Sequence, residues 1–215
     1  MEFVNAVSDP KKRDIMPHYI DACEMPTIAS MLYEDDAQIP VTQERWLAIT
    51  HSVPHQVEEF QNKIKCDLLN LLEKPRQHWY LPPAKKVIQD QQAQNTSDND
   101  DFNILEAASS LFVCDQYGCK KPVGYRVLFD HSHLNGLKWS SVIASIQHEA
   151  AIKPTVMMVL KALDLPDDTS LTAMEAMDGR LTCLCGHPDF LNPLTFTSLV
   201  ICLSYIAPYF KFHWM

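Results

Sequence analysis

Glycine is scarce in this chain, with only five among 215 residues. Since tight hairpins and phosphate-binding loops both depend on glycine, this scarcity argues against a barrel of short hairpins and against a phosphate-cradling loop. Positive charge is also in deficit, because 18 lysines and arginines face 27 acidic residues, a formal net charge of -9. Such a chain repels the phosphate backbone of nucleic acid. We therefore predict no nucleic-acid partner.

Long apolar segments are missing as well. Residues 1–17 contain no basic start followed by an apolar stretch, so no secretory signal is expected and the seven cysteines should stay reduced. The uncharged run at 194–210 is interrupted by threonine, serine and proline, and it lies at the short limit for a membrane span. We expect an intracellular protein, cytoplasmic or nuclear, without a membrane anchor.

Composition divides the chain into five regions. We expect a loosely ordered N-terminal region over 1–40, a helical lobe over 41–88, and a polar linker or loop over 89–101. A cysteine-pair module with helices follows over 102–200, and an apolar tail over 201–215. The predicted fold is mainly α, with a few short strands around a zinc-binding Cys/His module.

Local patterns predict particular helices. Five apolar residues recur every three or four positions and share one helical face: Val57, Phe60, Ile64, Leu68 and Leu71. Thr42 is predicted to cap the preceding helix at its N-terminus. Thr172 and Glu175 have the spacing of a capping box, which predicts the start of a later short helix.

Two short cysteine pairs stand far apart in the second half of the chain, and each is followed by histidine. The candidate metal ligands are Cys114, Cys119, Cys183, Cys185, His133 and His187, with His131 close to His133. Thiolate sulfur and imidazole nitrogen are the ligands of tetrahedral structural zinc. We predict a zinc site made by the two cysteine pairs, with histidine able to replace one thiolate.

Two other interpretations of these cysteines remain open. They could be small apolar core residues, with the histidines as surface polar groups, or one of them could be a redox or catalytic thiol. A Cys-x-Cys pair on a strand points its thiols to opposite faces, which favours the core interpretation for Cys183 unless Gly186 bends the chain.

The segments SLFVCDQYGC and VLKALDLPDDTSLTAMEAMDGRLTCLC, in that order, resemble an uncharacterised, basidiomycete-type fungal family of F-box-associated proteins with paired cysteine motifs. The resemblance covers roughly residues 41–200. The second pair, Cys183 and Cys185, is one residue tighter than the family pattern, and no F-box motif is present in this chain. The resemblance also implies a histidine just after Val200, where this chain has Ile201. We therefore expect the tail over 201–215 to come from an altered gene ending.

Together these observations predict a non-enzymatic interaction or scaffold module with a structural metal site, whose partner is another protein. The resemblance implies a link to F-box-type adaptors. The alternative is a metal-dependent or thiol enzyme of unknown substrate, which would need an open coordination position or a cysteine of low pKa. The sequence leaves the oligomeric state open.

Overall fold

A computed structural model of the protein describes residues 17–34, 40, 42–74, 103–182 and 192–206. Within these residues the chain is mainly helical with one small three-stranded sheet, which confirms the predicted mainly α class with a few short strands. The predicted linker over 89–101 lies outside the described residues.

The first half of the described chain is helical. Its elements are α1 (Tyr19–Cys23), α2 (Pro26–Ala29) with a π-helical turn over Ser30–Glu34, α3 (Gln43–Ile49) and α4 (Val53–Glu73). The predicted cap of α3 is confirmed, since Thr42 Oγ1 accepts a hydrogen bond from the Arg45 backbone N–H at 3.3 Å. The predicted apolar face of α4 is also confirmed, because Ile64 and Leu68 are completely buried while Phe60 packs against the same core.

Helices α1 and α2 lie in the region that was expected to be loosely ordered. Asp21 of α1 and Met25, which directly precedes α2, are both buried. The Asp21 carboxylate accepts hydrogen bonds from the Trp139 backbone N–H at 3.0 and 3.2 Å, although the two residues are 118 positions apart. This contact fixes the N-terminal helices against the rest of the molecule.

The second half of the described chain contains a three-stranded antiparallel sheet and further helices. They are β1 (Phe112–Cys114), β2 (Pro122–Val123), α5 (Trp139–Ser145), β3 (Ile146–Gln147), α6 (Ile152–Ala162), α7 (Leu171–Glu175) and α8 (Phe196–Ile206). The strand order is β2-β1-β3, so β1 is central. Phe112 pairs with Val123 on one side, and Cys114 pairs with Ile146 on the other.

Strand β1 separates two apolar cores, because successive side chains of a strand point to opposite faces. Phe112 and Cys114 enter the core that also contains Ile64 and Leu68 of α4. Val113 enters the other core, which is built mainly by α6 and α8. Residues of the predicted helical lobe and of the predicted cysteine module therefore share one apolar core.

The start of helix α7 differs from the sequence prediction. Helix α7 is capped by Ser170, whose hydroxyl accepts from the Ala173 N–H at 3.2 Å, so the predicted capping box at Thr172 is wrong. A serine at the N-cap accepts from a free N–H group of the first turn just as threonine does, and here it does so two residues earlier.

Helix α8 continues through the predicted boundary between 200 and 201. Cys202 is completely buried, and Ser204 Oγ lies 3.4 Å from Thr155 Oγ1 of α6. The first residues of the predicted tail therefore belong to the apolar core that contains Val113, α6 and α8. Among the described helices, none is both long and apolar enough to cross a membrane.

His148 follows β3 and is buried where the two cores meet. Its Nδ1 lies 2.9 Å from the Leu111 carbonyl oxygen, and its ring meets Phe112 edge-on. Burial lowers the pKa of His148 below 6.5, although its hydrogen bond to Leu111 opposes this, and the charges of Lys153 and Glu149 act in opposite directions.

We expect acid to destabilise the fold through His148. Because its folded-state pKa is lowered, the unfolded chain binds more protons, so stability is complete above pH 6.5 and falls as the pH drops below it. The slope reaches at most about 1.4 kcal/mol per pH unit. Urea unfolding between pH 7.5 and 5.5 should show a steeper loss for the wild type than for His148→Asn, which keeps a donor for Leu111 without titrating. Equal slopes would contradict this expectation.

Candidate metal centre

Cys114 and Cys119 are brought together by a tight turn that follows the central strand. Cys114 ends β1 and is completely buried. The chain then reverses through a 3-10 turn over Gln116–Gly118, closed by the Cys119 N–H donating to the Gln116 carbonyl at 2.9 Å. The Lys120 N–H donates to the Cys114 carbonyl at 3.0 Å, which holds the two cysteines on the same side of the turn.

This turn uses left-handed backbone conformations. Tyr117 and Lys120 both have φ of 50°, and Gly118 has φ of 72°. Left-handed backbone costs about 1–2 kcal/mol for a residue with a β-carbon, so other contacts must hold Tyr117 and Lys120 in place. Part of that support comes from α5, since Gln116 Nε2 donates to Ser145 Oγ at 2.6 Å.

The two histidines come from the loop between β2 and α5. That loop is anchored by Leu128 and Leu134, which are completely buried on either side of the histidines. The Leu134 N–H donates to the His131 carbonyl at 2.8 Å, which closes a turn around His133. The His131 and His133 rings are 5.3 Å apart and perpendicular, so both can direct a ring nitrogen toward one point.

Each histidine nitrogen faces one sulfur. His133 Nδ1 lies 3.8 Å from Cys114 Sγ, and His131 Nε2 lies 3.5 Å from Cys119 Sγ. One ligand atom from each of the four residues lies within 4.8 Å of the other three. Cys114 is buried and the other three side chains are half-buried. This Cys2His2 cluster could hold a metal ion.

Burial shifts the pKa values of two residues in the cluster, Cys114 and His131. Burial raises the pKa of the Cys114 thiol, partly opposed by a hydrogen bond from the Gln116 backbone, and nearby Cys119 raises it further. Burial and the neighbouring His133 lower the pKa of His131. Neutral imidazole is the form that binds metal, whereas a thiol must exchange its proton for the cation. A metal ion would therefore replace a proton at Cys114, whereas the lowered pKa of His131 favours the neutral imidazole that binds metal.

Three of the six residues predicted as ligands belong to this cluster, namely Cys114, Cys119 and His133. The other three, Cys183, Cys185 and His187, lie outside the described residues. His131 supplies the fourth ligand atom of the cluster. The signal that could have assigned it is the His-x-His spacing close after a cysteine pair, which offers four ligands within one short segment.

Comparison with known proteins gives no relative of this chain. No family model matches it, and no curated protein or solved structure does so either. The geometry of the cluster therefore carries the functional conclusion.

Proposed function

We propose that Cys114, Cys119, His131 and His133 bind one structural Zn²⁺ ion. The observation that carries this proposal is the convergence of two sulfurs and two imidazole nitrogens within 4.8 Å. Thiolate with imidazole suits zinc better than magnesium or calcium, which prefer oxygen.

The distances inside the cluster support a single tetrahedral ion. Zinc–sulfur bonds of about 2.3 Å and zinc–nitrogen bonds of about 2.0–2.1 Å, at a tetrahedral angle, place sulfur and nitrogen about 3.6 Å apart. The two sulfur–nitrogen distances are 3.8 and 3.5 Å. Small side-chain adjustments therefore suffice for binding.

Four protein ligands fill a tetrahedron, as in structural zinc sites, whereas catalytic zinc keeps one position for water or substrate. The ion would tie Cys114 on the central strand to the loop that carries Leu128 and Leu134. Closing the 12-residue separation between Cys119 and His131 costs about 2 kcal/mol. Structural zinc contributes an apparent ~10–16 kcal/mol near neutral pH, so the metal dominates this balance.

The function that follows is that of a non-enzymatic interaction or scaffold module, with another protein as its partner. A closed coordination shell supports a structural role for the metal over a catalytic one. A reducing compartment, cytoplasm or nucleus, would keep both thiols available as ligands. The link to F-box-type adaptors remains part of the proposal and rests on the sequence resemblance alone.

Metal content and thiol reactivity test this function together. Elemental mass spectrometry of natively purified protein should give about one zinc per chain, as a single four-ligand site requires. In the zinc-bound protein, iodoacetamide should modify exposed Cys66 quickly and Cys114 and Cys119 slowly, because bound thiolates are protected. Chelation should remove that protection.

Either of two results would contradict the proposal. One is purified protein without zinc that also fails to take up added zinc. The other is a single fast-reacting thiol at Cys114 or Cys119 in the zinc-bound protein, which would favour a thiol enzyme.

A further inference from the structure

A second feature lies away from the metal cluster. A cavity of about 360 Å³ opens between the α1–α2 segment, helix α4 and the start of α5. This volume falls within the roughly 300–1,000 Å³ of pockets that accept small ligands or side chains. Its lining includes Asp21, Glu24, Glu59, Phe60, Lys63 and Trp139.

The walls of this cavity are fixed by hydrogen bonds between its elements. The Thr27 backbone N–H donates to Gln56 Oε1 at 3.3 Å, and Gln56 Nε2 donates to Thr27 Oγ1, which joins α2 to α4. The Trp139 backbone N–H donates to Asp21, which joins α1 to α5. A ligand would therefore meet a preformed site and would not need to order it.

The charge of the lining favours a cation. Asp21, Glu24 and Glu59 supply three carboxylates, and Lys63 supplies one ammonium, so the lining carries a formal charge of 1 − 3 = −2. Lys138, which stands beside the lining, pairs with Glu24 and also interacts electrostatically with Asp21, so it offsets part of this negative charge. The Lys138 and Glu24 side chains are about half exposed, so water screens their interaction. Asp21 is only 8% exposed, and its carboxylate accepts hydrogen bonds from the Trp139 backbone N–H at 3.0 and 3.2 Å.

The remaining walls are apolar and aromatic. Met25 and Trp139 are buried beneath the opening, and Phe60 is half-buried beside it. An aromatic ring attracts a cation placed over its face, and a guanidinium group also stacks on such a ring and pairs with carboxylates. Because Trp139 is only 2% exposed, Phe60 is the ring of the lining that a ligand could reach. An apolar stem ending in a guanidinium would satisfy both kinds of wall.

We propose that this cavity binds the side chain of an arginine carried by a partner protein. The inference rests on the proposed role as an interaction module, and it names the surface and the chemistry of the partner. It does not depend on the metal, since none of the four cluster residues lines the cavity.

Titration of the ¹⁵N-labelled full-length protein with short peptides tests this inference. The peptides are acetyl-Gly-Ala-Xaa-Ala-Gly-amide with arginine, lysine or citrulline at Xaa, because citrulline keeps the shape of arginine without its charge. The arginine peptide should bind saturably and shift the Trp139 amide signals and those of α4 around Phe60. Citrulline should bind at least about tenfold more weakly, since charge-assisted hydrogen bonds are lost.

Two matched variants locate the site. Glu59→Gln should weaken arginine binding about two- to fivefold, the usual effect of one exposed carboxylate. Glu58→Gln removes the same charge from the neighbouring position of α4, which does not line the cavity, and should leave affinity unchanged. Zinc content is measured in every sample, so a failure of this inference remains separate from a failure of the metal site.

Four outcomes would overturn the inference. Citrulline and arginine peptides could bind equally, or their shifts could map away from α4 and Trp139, or no peptide could bind at millimolar concentration while zinc is present. Tighter binding of free arginine amide than of the peptide would assign the cavity to a small-molecule cation and would also overturn the partner-protein proposal.

Discussion

Cys114→Ser is expected to abolish zinc binding and cooperative unfolding together. Cys114 is completely buried at the end of the central strand, so in the proposed site its sulfur would be both a metal ligand and a core atom. Losing the ion removes an apparent ~10–16 kcal/mol, which is as large as the roughly 5–15 kcal/mol stability of an ordinary domain. Elemental analysis and thermal unfolding monitored by circular dichroism should both register the change.

Two other cysteine substitutions serve as controls for this prediction. Cys66 is exposed on α4 outside the cluster, so Cys66→Ser should keep the zinc and the unfolding transition of the wild type. Cys183→Ser should also keep the zinc, because Cys114, Cys119, His131 and His133 already supply four ligands. Retention of zinc by Cys114→Ser would contradict the assignment, and its loss from Cys183→Ser would favour the pairing of distant cysteines.

Trp139→Ala is expected to lower the free energy of unfolding by about 3–5 kcal/mol, as truncation of a large buried aromatic does. Trp139 is only 2% exposed and lies next to the Phe129 ring, with centroids 5.8 Å apart. Its indole N–H donates to Asp67 Oδ2 at 2.7 Å, so the substitution also removes the donor that faces this carboxylate. Urea denaturation of the zinc-saturated protein, followed by far-ultraviolet circular dichroism, measures the loss.

Trp46→Ala is the matched control for that measurement. Trp46 lies in α3 and is half-buried, so the same change of side chain should cost clearly less. The stability loss of Trp139→Phe should fall between those of Trp46→Ala and Trp139→Ala, because this variant keeps an aromatic ring but loses the indole donor to Asp67. Equal losses for the two tryptophan-to-alanine variants would contradict the central position of Trp139 in the core.

The features that the sequence could predict are local ones. The apolar spacing of Ile64 and Leu68 on α4 depends only on helical geometry, and the cap at Thr42 depends only on the first turn of its helix. The cap of α7 was misassigned to Thr172 because Ser170, two residues earlier, offers the same chemistry. Local patterns therefore identify elements better than their ends.

Long-range contacts were beyond sequence reasoning. The hydrogen bond between Asp21 and Trp139 spans 118 positions, and no periodic pattern announces it. Composition alone predicts a loosely ordered N-terminal region, because it carries no sign of this hydrogen bond. The structure has helices α1 and α2 in that region.

The two possible sets of metal ligands differ in the length of the loop that each must close. Joining Cys119 to Cys183 closes about 64 residues, whereas joining Cys119 to His131 closes 12. The shorter closure is favoured by about 1.5 kcal/mol of loop entropy. The sequence offers cysteines and histidines as candidates, but which of them come together depends on the turn after β1 and on the buried leucines that position the histidine loop.

Zinc K-edge X-ray absorption on the purified full-length protein tests the central claim most directly, because it counts the atoms bound to the metal. Coordination by Cys114, Cys119, His131 and His133 predicts two sulfurs at about 2.3 Å and two imidazole nitrogens at about 2.0–2.1 Å. A shell of four sulfurs, or one containing a bound water oxygen, would contradict the closed Cys2His2 site.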